Sequence, residues 1–396
     1  MHNYDIVIVG GGAAGMLMAS SLRNLNAKIL LIDSELEAKD VDVNIALVLN
    51  EVSLRILTSM GLNIAIKDGF DLKGCIVSAR GHFGRVRMTS DSLNYKRLGR
   101  VVALKSLYGD LKNKIKTQAN LTIEYGANVK DLIQNIDSTS ILNYITDANN
   151  ASVKTKMVIG CDGINSICRS KFKINTIKES FDYSCLVLHV NLSGADTHCA
   201  SQRFLSPGSL AFIPTSGSTA CLVWTLPTNV VKARSSMPAT QLLNIAKHEL
   251  GKQGRMLKAI IDNPLVYPVS LQRACSSSKP GLVLIGAAAT NLFPITAQNL
   301  NLSLRDIAAV RDSLQGSDDF IWRQAEADSY VSKRRDDHLF NYNQVKYLLN
   351  TFSKTSLLRN ILRSTALTVA GSSSSLTSLI TRRGVGENTG LADILF

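Results

Sequence analysis

The chain has 396 residues, of which 45% are apolar and 19% charged, with 26 glycines and 8 prolines. That length suggests two or three domains with a sizeable core, and the composition excludes a disordered chain, a collagen-like repeat and a disulfide-stapled miniprotein. Seven scattered cysteines fit a reducing compartment, and the +13 charge comes without zinc-finger spacing or an RNA-binding aromatic signature, so no nucleic-acid partner is expected.

In chain order, Tyr4 to Gly10 is a short apolar run ending in glycine, as in a parallel strand buried on both faces. No signal-peptide pattern precedes it. Ala13 to Leu25 reads as a helix and Lys28 to Asp33 as a second buried strand, together a right-handed βαβ unit. The middle changes character: Leu186–Leu192, Ser209–Phe212 and Cys221–Leu226 are strand-like runs between Gly, Pro and Ser turns, followed by a helix over Gln241–Leu250. Leu282 to Gly286 resumes the buried-strand pattern, and Leu302 to Leu314 is helical. From Ile321 onward helix predominates, broken at a Gly371–Ser375 linker. The stretch Ala366–Ile380 is too short and polar to span a bilayer.

Three motifs carry chemistry. The first, Gly10-Gly11-Gly12-Ala13-Ala14-Gly15, follows a strand and opens a helix, with Asp33 at the end of the next strand. Gly10 permits a tight turn, Gly12 lets the backbone approach a pyrophosphate, and Gly15 allows close helix–strand packing. The helix N-terminus, at Ala13 and Ala14, offers N–H groups and partial positive charge to phosphates, while Asp33 suits ribose hydroxyls. The second is Asp162-Gly163 after a strand, followed by Arg169; alone, Asp-Gly is a common turn. The third runs from Gly286-Ala287 through Pro294 and Ala297-Gln298-Asn299 to Asp306, a strand end, a loop and a helix start that could meet an anion or a polarised ring oxygen. No nucleophile triad or metal-ligand cluster is evident. His82, His189 and His198 read as packing or surface residues, and Cys161 and Cys168 as buried structural thiols.

The order of these motifs resembles that of the class A FAD-dependent aromatic hydroxylases. The ubiquinone-biosynthesis branch is most similar, and within it the 2-octaprenyl-6-methoxyphenol hydroxylases. Ser78–Gly84, Leu98–Leu104, Gln202–Pro214, Val223-Trp224, Tyr267–Leu271 and Tyr330–Arg335 carry the likeness across nearly the whole chain. The resemblance implies an α/β fold with a Rossmann-like, GR2-type FAD-binding domain in three pieces, 1–75, 98–178 and 278–330. A mixed-sheet substrate domain, 76–97 plus 179–277, and C-terminal helices over 331–396 complete it. It further implies FAD, NAD(P)H as reductant, and O₂ activated as a flavin hydroperoxide that hydroxylates a polyprenylated phenol. A cytoplasmic protein with peripheral contact on the inner membrane face, within a ubiquinone-biosynthesis complex, is the accompanying expectation. Lys346, Lys354, Arg359, Arg363, Arg382 and Arg383, interleaved with apolar residues, suit an interfacial surface or equally a packed amphipathic helix.

Several family positions are altered. Ala287 stands where the family carries an Asp to the ribityl chain, Ala297 and Asn299 replace the glycines of a Gly-Gln-Gly, and Ala103 replaces a Glu. Asp42–Ile45 lacks the family's Arg, leaving Lys105 and Asn44 as nearby substitutes. A side chain at Asn299 would crowd the flavin. The phosphate half of the motif set is intact while the ring half is eroded. Two readings follow: a FAD-dependent monooxygenase, or a non-catalytic, FAD-weakened relative serving as scaffold or lipid-binding subunit. A FAD-using reductase without oxygen chemistry is a third class.

Overall fold

A computed structural model describes residues 2–36, 45–63, 68–81, 84–146, 149–194, 197–295, 297–353, 368 and 371–387. Five strands form a parallel sheet in the order β5 (Leu282–Leu284), β4 (Asn150–Gly160), β1 (His2–Val9), β2 (Ile29–Ile32) and β3 (Leu121–Glu124). Their continuous apolar character has a direct cause, since alternate residues enter different cores. Ile6, Ile8, Ile29, Leu31, Met157 and Ile159 pack under the helices. Val7, Val9, Leu30, Ile32 and Val158 face the opposite side, against Leu132, Leu142 and Tyr144 of an antiparallel meander over 128–160. A strand covered on both faces has no polar positions to alternate with.

The helix α1 spans Ala13–Ser21 and packs against α5 (Asn299–Leu314) across the sheet ends. It stops short of the Leu25 expected from its apolar spacing. Asn120 explains the stop, donating from Nδ2 to the carbonyls of Leu22 (3.2 Å) and Leu25 (2.8 Å), which a longer helix would turn toward its own N–H groups. Between β2 and β3 come α2 (Glu51–Ser59), capped by Asn50 Oδ1 on Ser53 N, and α3 (Leu104–Lys116). After β4, α4 is a single turn over Ile167–Lys171.

A second sheet lies over the first layer. Its hairpin of Gly74–Ala79 and Arg85–Thr89 pairs in parallel with Cys199–Phe204, and the path continues through Ser209–Pro214, Thr219–Pro227, Tyr183–Leu192 and Leu257–Ile260. The middle segments thus form strands as expected, each a few residues longer than the apolar runs. A 30-residue helix, α6 (Gln324–Ser353), and α7 (Ser374–Gly384) complete the described chain. The break expected over 371–375 falls on Ser373 alone, between helical residues on both sides: Ser373 is the N-cap of α7, its hydroxyl accepting from Leu376 N at 3.3 Å. Among the described residues no helix is long and apolar enough to cross a membrane.

Candidate functional site

The glycine loop at the carboxyl end of β1 is built from close approaches. Gly10 is left-handed (φ +101°), and a methyl there would stand 2.5 Å from the Cys161 carbonyl oxygen. One on Gly15 would lie 1.8 Å from the Gly10 carbonyl oxygen, so α1 can leave the strand only through glycine at this point. Gly12 is the extended N-cap of α1, and among the described residues a Cβ there would meet only Tyr108 Oη, at an ordinary contact distance of 3.8 Å. Gly11 is constrained as well, because a Cβ there would meet Asp33 Oδ2 at 2.4 Å. The motif leaves that position free, so only the tertiary packing reveals the constraint. Asp33 is held at the end of β2 by its own N–H to the Glu124 carbonyl (2.9 Å) and accepts from Glu35 N at 3.4 Å. Ala14 sits in the first turn of α1, and its methyl lies 3.2 Å from where a Gly286 Cβ would stand. Lys105 is exposed in the first turn of α3.

The Asp162-Gly163 turn follows β4 beside this loop. Asp162 Oδ2 accepts from Cys168 N at 3.0 Å, while its Oδ1 is buried without a hydrogen-bond partner in the protein. Gly163 is left-handed (φ +77°) with open space around it. Arg169 joins the second motif to the third, donating to the carbonyls of Ile164 (2.7 Å) and Ala288 (2.8 Å). It is a structural clasp, not an exposed anion-binding group. Burial pushes the Cys161 and Cys168 thiols up, which keeps both protonated and inert. All seven cysteines are free: Cys161, Cys168, Cys185 and Cys221 are buried, Cys75 and Cys199 half-buried and Cys275 exposed.

The third motif ends β5 and starts α5. Gly286 is left-handed (φ +66°), Ala287 contributes only a methyl, and Ala297 also adopts a left-handed backbone (φ +52°). Gln298 is the N-cap position of α5. The Asn299 side chain does not project freely toward a ring site, as the sequence suggested. It turns into the preceding loop, with Oδ1 accepting from Leu292 N (2.7 Å) and Nδ2 donating to Leu292 O (2.8 Å). Asn301, which lies inside the third motif but had no role assigned to it, is the more connected residue. Its Oδ1 accepts from Asn50 N (3.0 Å), and its Nδ2 donates to Val48 O (2.9 Å) and Ala297 O (2.7 Å). Asp42, Val43 and Asn44 lie outside the described residues, as do His82, Lys354, Arg359 and Arg363.

Pro294, Ala297 and Gln298 open onto a cavity of about 1630 Å³ between the two layers. Its walls are Val77, Met88, Phe204 and Ile213 of the second sheet, and α6 and α7 flank it through Phe340, Leu379 and Ile380. Below α5 lies a buried ion cluster that includes Arg305 and Asp306, the last residues of the third motif. Arg305 holds Asp337 (2.7 Å), Arg334 holds Asp306 (2.8 Å) and Asp337, and His338 bridges Asp306 (2.9 Å) and the Thr290 hydroxyl (2.7 Å). Burial alone would raise the Asp337 carboxyl, but the Arg305 and Arg334 guanidiniums override it and hold it at about 2. The other histidines behave as expected: His198 stacks on Phe70 and binds the Asp71 carbonyl, and His189 faces Asp262 at 3.4 Å. The described C-terminal cations are engaged internally, Lys346 with Glu179, Arg382 with Glu387 and Arg383 over the Phe340 ring at 4.0 Å.

Two features match a bound dinucleotide: a cradle at Gly12 that a side chain would fill, and an orphaned carboxylate oxygen on Asp162 beside the same loop. A family model described as "FAD binding domain" matches residues 3–336. The chain is 22% identical to the ubiquinone biosynthesis monooxygenase COQ6 of Dictyostelium discoideum, over 97% of this chain and 92% of that protein. It is 25% identical to the 3-demethoxyubiquinol 3-hydroxylase of Escherichia coli, over 78% and 79%. Among solved structures, p-nitrophenol 4-monooxygenase PnpA from Pseudomonas putida superposes with a TM-score of 0.75 at 15% identity, covering 98% of this chain and all of that one, a likeness of fold.

Proposed function

This chain belongs to the FAD binding domain family, and on that premise we propose that it is a FAD-dependent monooxygenase of ubiquinone biosynthesis that hydroxylates a polyprenylated phenol. The observation that carries the reading is the meeting of three motifs at one end of the parallel sheet, beside a cavity of about 1630 Å³. Drug-sized pockets occupy roughly 300–1,000 Å³, so this volume suits a ring with a long apolar tail. Reduced by NAD(P)H, a bound flavin would supply the oxygen chemistry.

The protein's share is binding, orientation and exclusion of water. Gly12 and Ala14 bring backbone N–H groups to the pyrophosphate and Ala13, at the first turn, adds the positive end of α1, while Gly10 and Gly15 shape that loop. Asp33 takes the adenosine ribose, and Asp162 with Gly163 faces the ribityl chain through its unpartnered Oδ1. Gly286, Ala287, Pro294, Ala297, Gln298 and Asn299 frame the ring, with Lys105 at the periphery. Ala287 contributes no hydrogen bond there, so more of the ring's hold falls to backbone groups. Leu379 both lines the cavity and is 46% exposed, so α7 stands at its opening, where an apolar tail would enter from a membrane surface.

The purified protein's visible spectrum tests the reading, before and after incubation with FAD. Flavin absorbance together with NAD(P)H-dependent incorporation of one oxygen atom into a prenylated 2-methoxyphenol, read by mass spectrometry, is the expected result. A folded protein that takes up no FAD overturns it.

A further inference from the structure

The first N–H of α1 is not bare. Ala13 N donates to Tyr108 Oη at 2.9 Å, across 95 residues, from a phenol on α3 that is partly buried. Tyr108 lies close enough to Asp33 to feel its charge, and desolvation and that carboxylate both keep the phenol protonated. Gly12 opens toward the same oxygen. An acceptor lone pair of the hydroxyl is therefore filled by Ala13, while its proton meets no acceptor among the described residues. What remains at the surface of this cluster is a donor, set between the N-terminus of a helix and a ribose-binding carboxylate.

We propose that Tyr108 is a cofactor-positioning residue that carries the N-terminal hydrogen-bonding of α1 one link outward to a phosphate oxygen of FAD. The arrangement N–H···O–H···O is a chain in which each bond polarises the next, and its last member is charge-assisted. The proposal rests on the FAD reading above and deepens it by placing a side-chain donor on the adenosine-phosphate half. That half keeps its motif residues, whereas the ring half has lost polar side chains, so the hydroxyl would contribute a large share of the remaining specificity.

The experiment is a fluorescence titration of the apoprotein with FAD and, separately, with riboflavin, for the parent chain and Tyr108→Phe. Phenylalanine keeps the ring packing and removes only the hydroxyl. A hydrogen bond to a charged group corresponds to a loss of roughly 10–100-fold in affinity, so the Kd for FAD should rise at least ~10-fold. Riboflavin, which lacks phosphate and adenosine, should bind both proteins equally, and the apoprotein melting temperature should change little. Equal or tighter FAD binding by Tyr108→Phe, with the parent binding FAD, overturns this proposal alone and marks the hydroxyl as a plug or a packing contact. A folded parent chain that binds no FAD overturns it together with the FAD reading. Equal weakening for FAD and riboflavin also overturns it, since a phosphate contact cannot be sensed by riboflavin.

Discussion

Ala297 and Asn299 stand where the resembling family carries glycine, yet the two positions differ physically. Ala297 keeps a left-handed backbone at φ +52°, a conformation that costs an L-residue about 1–2 kcal/mol. Ala297→Gly should therefore raise the unfolding free energy by about 1 kcal/mol, read as a shifted urea midpoint with unchanged slope. Asn299→Gly should do the opposite, because it removes both side-chain bonds to Leu292 and loosens the loop before α5. A loss of about 1–3 kcal/mol by the same measurement is expected. The spacing of the motif located both residues. Which of them tolerates a side chain depended on the backbone dihedral and on Leu292, neither of which the sequence displays.

At the scale of elements, the α5–α6 contact depends on buried charge rather than on apolar packing alone. Asp337 is held at about 2, below the 3.8 of a free Asp, so its contribution to stability is complete above about pH 4 and is lost as pH falls through about 2. Urea midpoints measured between pH 5 and pH 2 should fall across that window. Asp337→Asn should flatten this part of the fall while costing about 3–5 kcal/mol at neutral pH, since Arg305 loses its carboxylate partner in a buried setting. An unchanged neutral-pH stability in Asp337→Asn would show that the cluster is better hydrated than its burial indicates. In the sequence Arg305 and Asp306 closed the third motif and Arg334 lay in the Tyr330–Arg335 segment, but nothing there paired them, and charged residues on a helix normally read as a solvated face. Burial reversed that reading because α6 lies on α5 through this very face.

For the whole molecule, α7 is a strap. Asn50 Nδ2 donates to the Gly384 carbonyl (3.3 Å) and Val52 N to the Val385 carbonyl (3.2 Å), tying the C-terminal helix to the first layer. Gly371 meanwhile packs against the Arg85 carbonyl of the second sheet. Removing the chain from Ser374 onward should leave the parallel sheet folded and able to take up FAD, but with the cavity open on one side. Increased binding of an apolar fluorescent dye, together with unchanged FAD affinity, is the expected pair of results. Loss of FAD uptake would mean that the strap also shapes the nucleotide loop.

The sequence alone determined the parallel sheet, the glycine loop and the order of the three motifs, because local chemistry governs each. Runs buried on both faces have no polar positions, and a strand can turn into a helix against a neighbouring backbone only through glycine. Tertiary structure alone decided which polar atoms are spoken for. Asn120 shortened α1, Asn299 turned toward Leu292, Arg169 clasped two loops, and Tyr108 reached Ala13 across 95 residues. Each partner comes from a distant segment or is selected by the local path of a loop, and a hydrogen bond's length and direction exist only once the chain has closed around it.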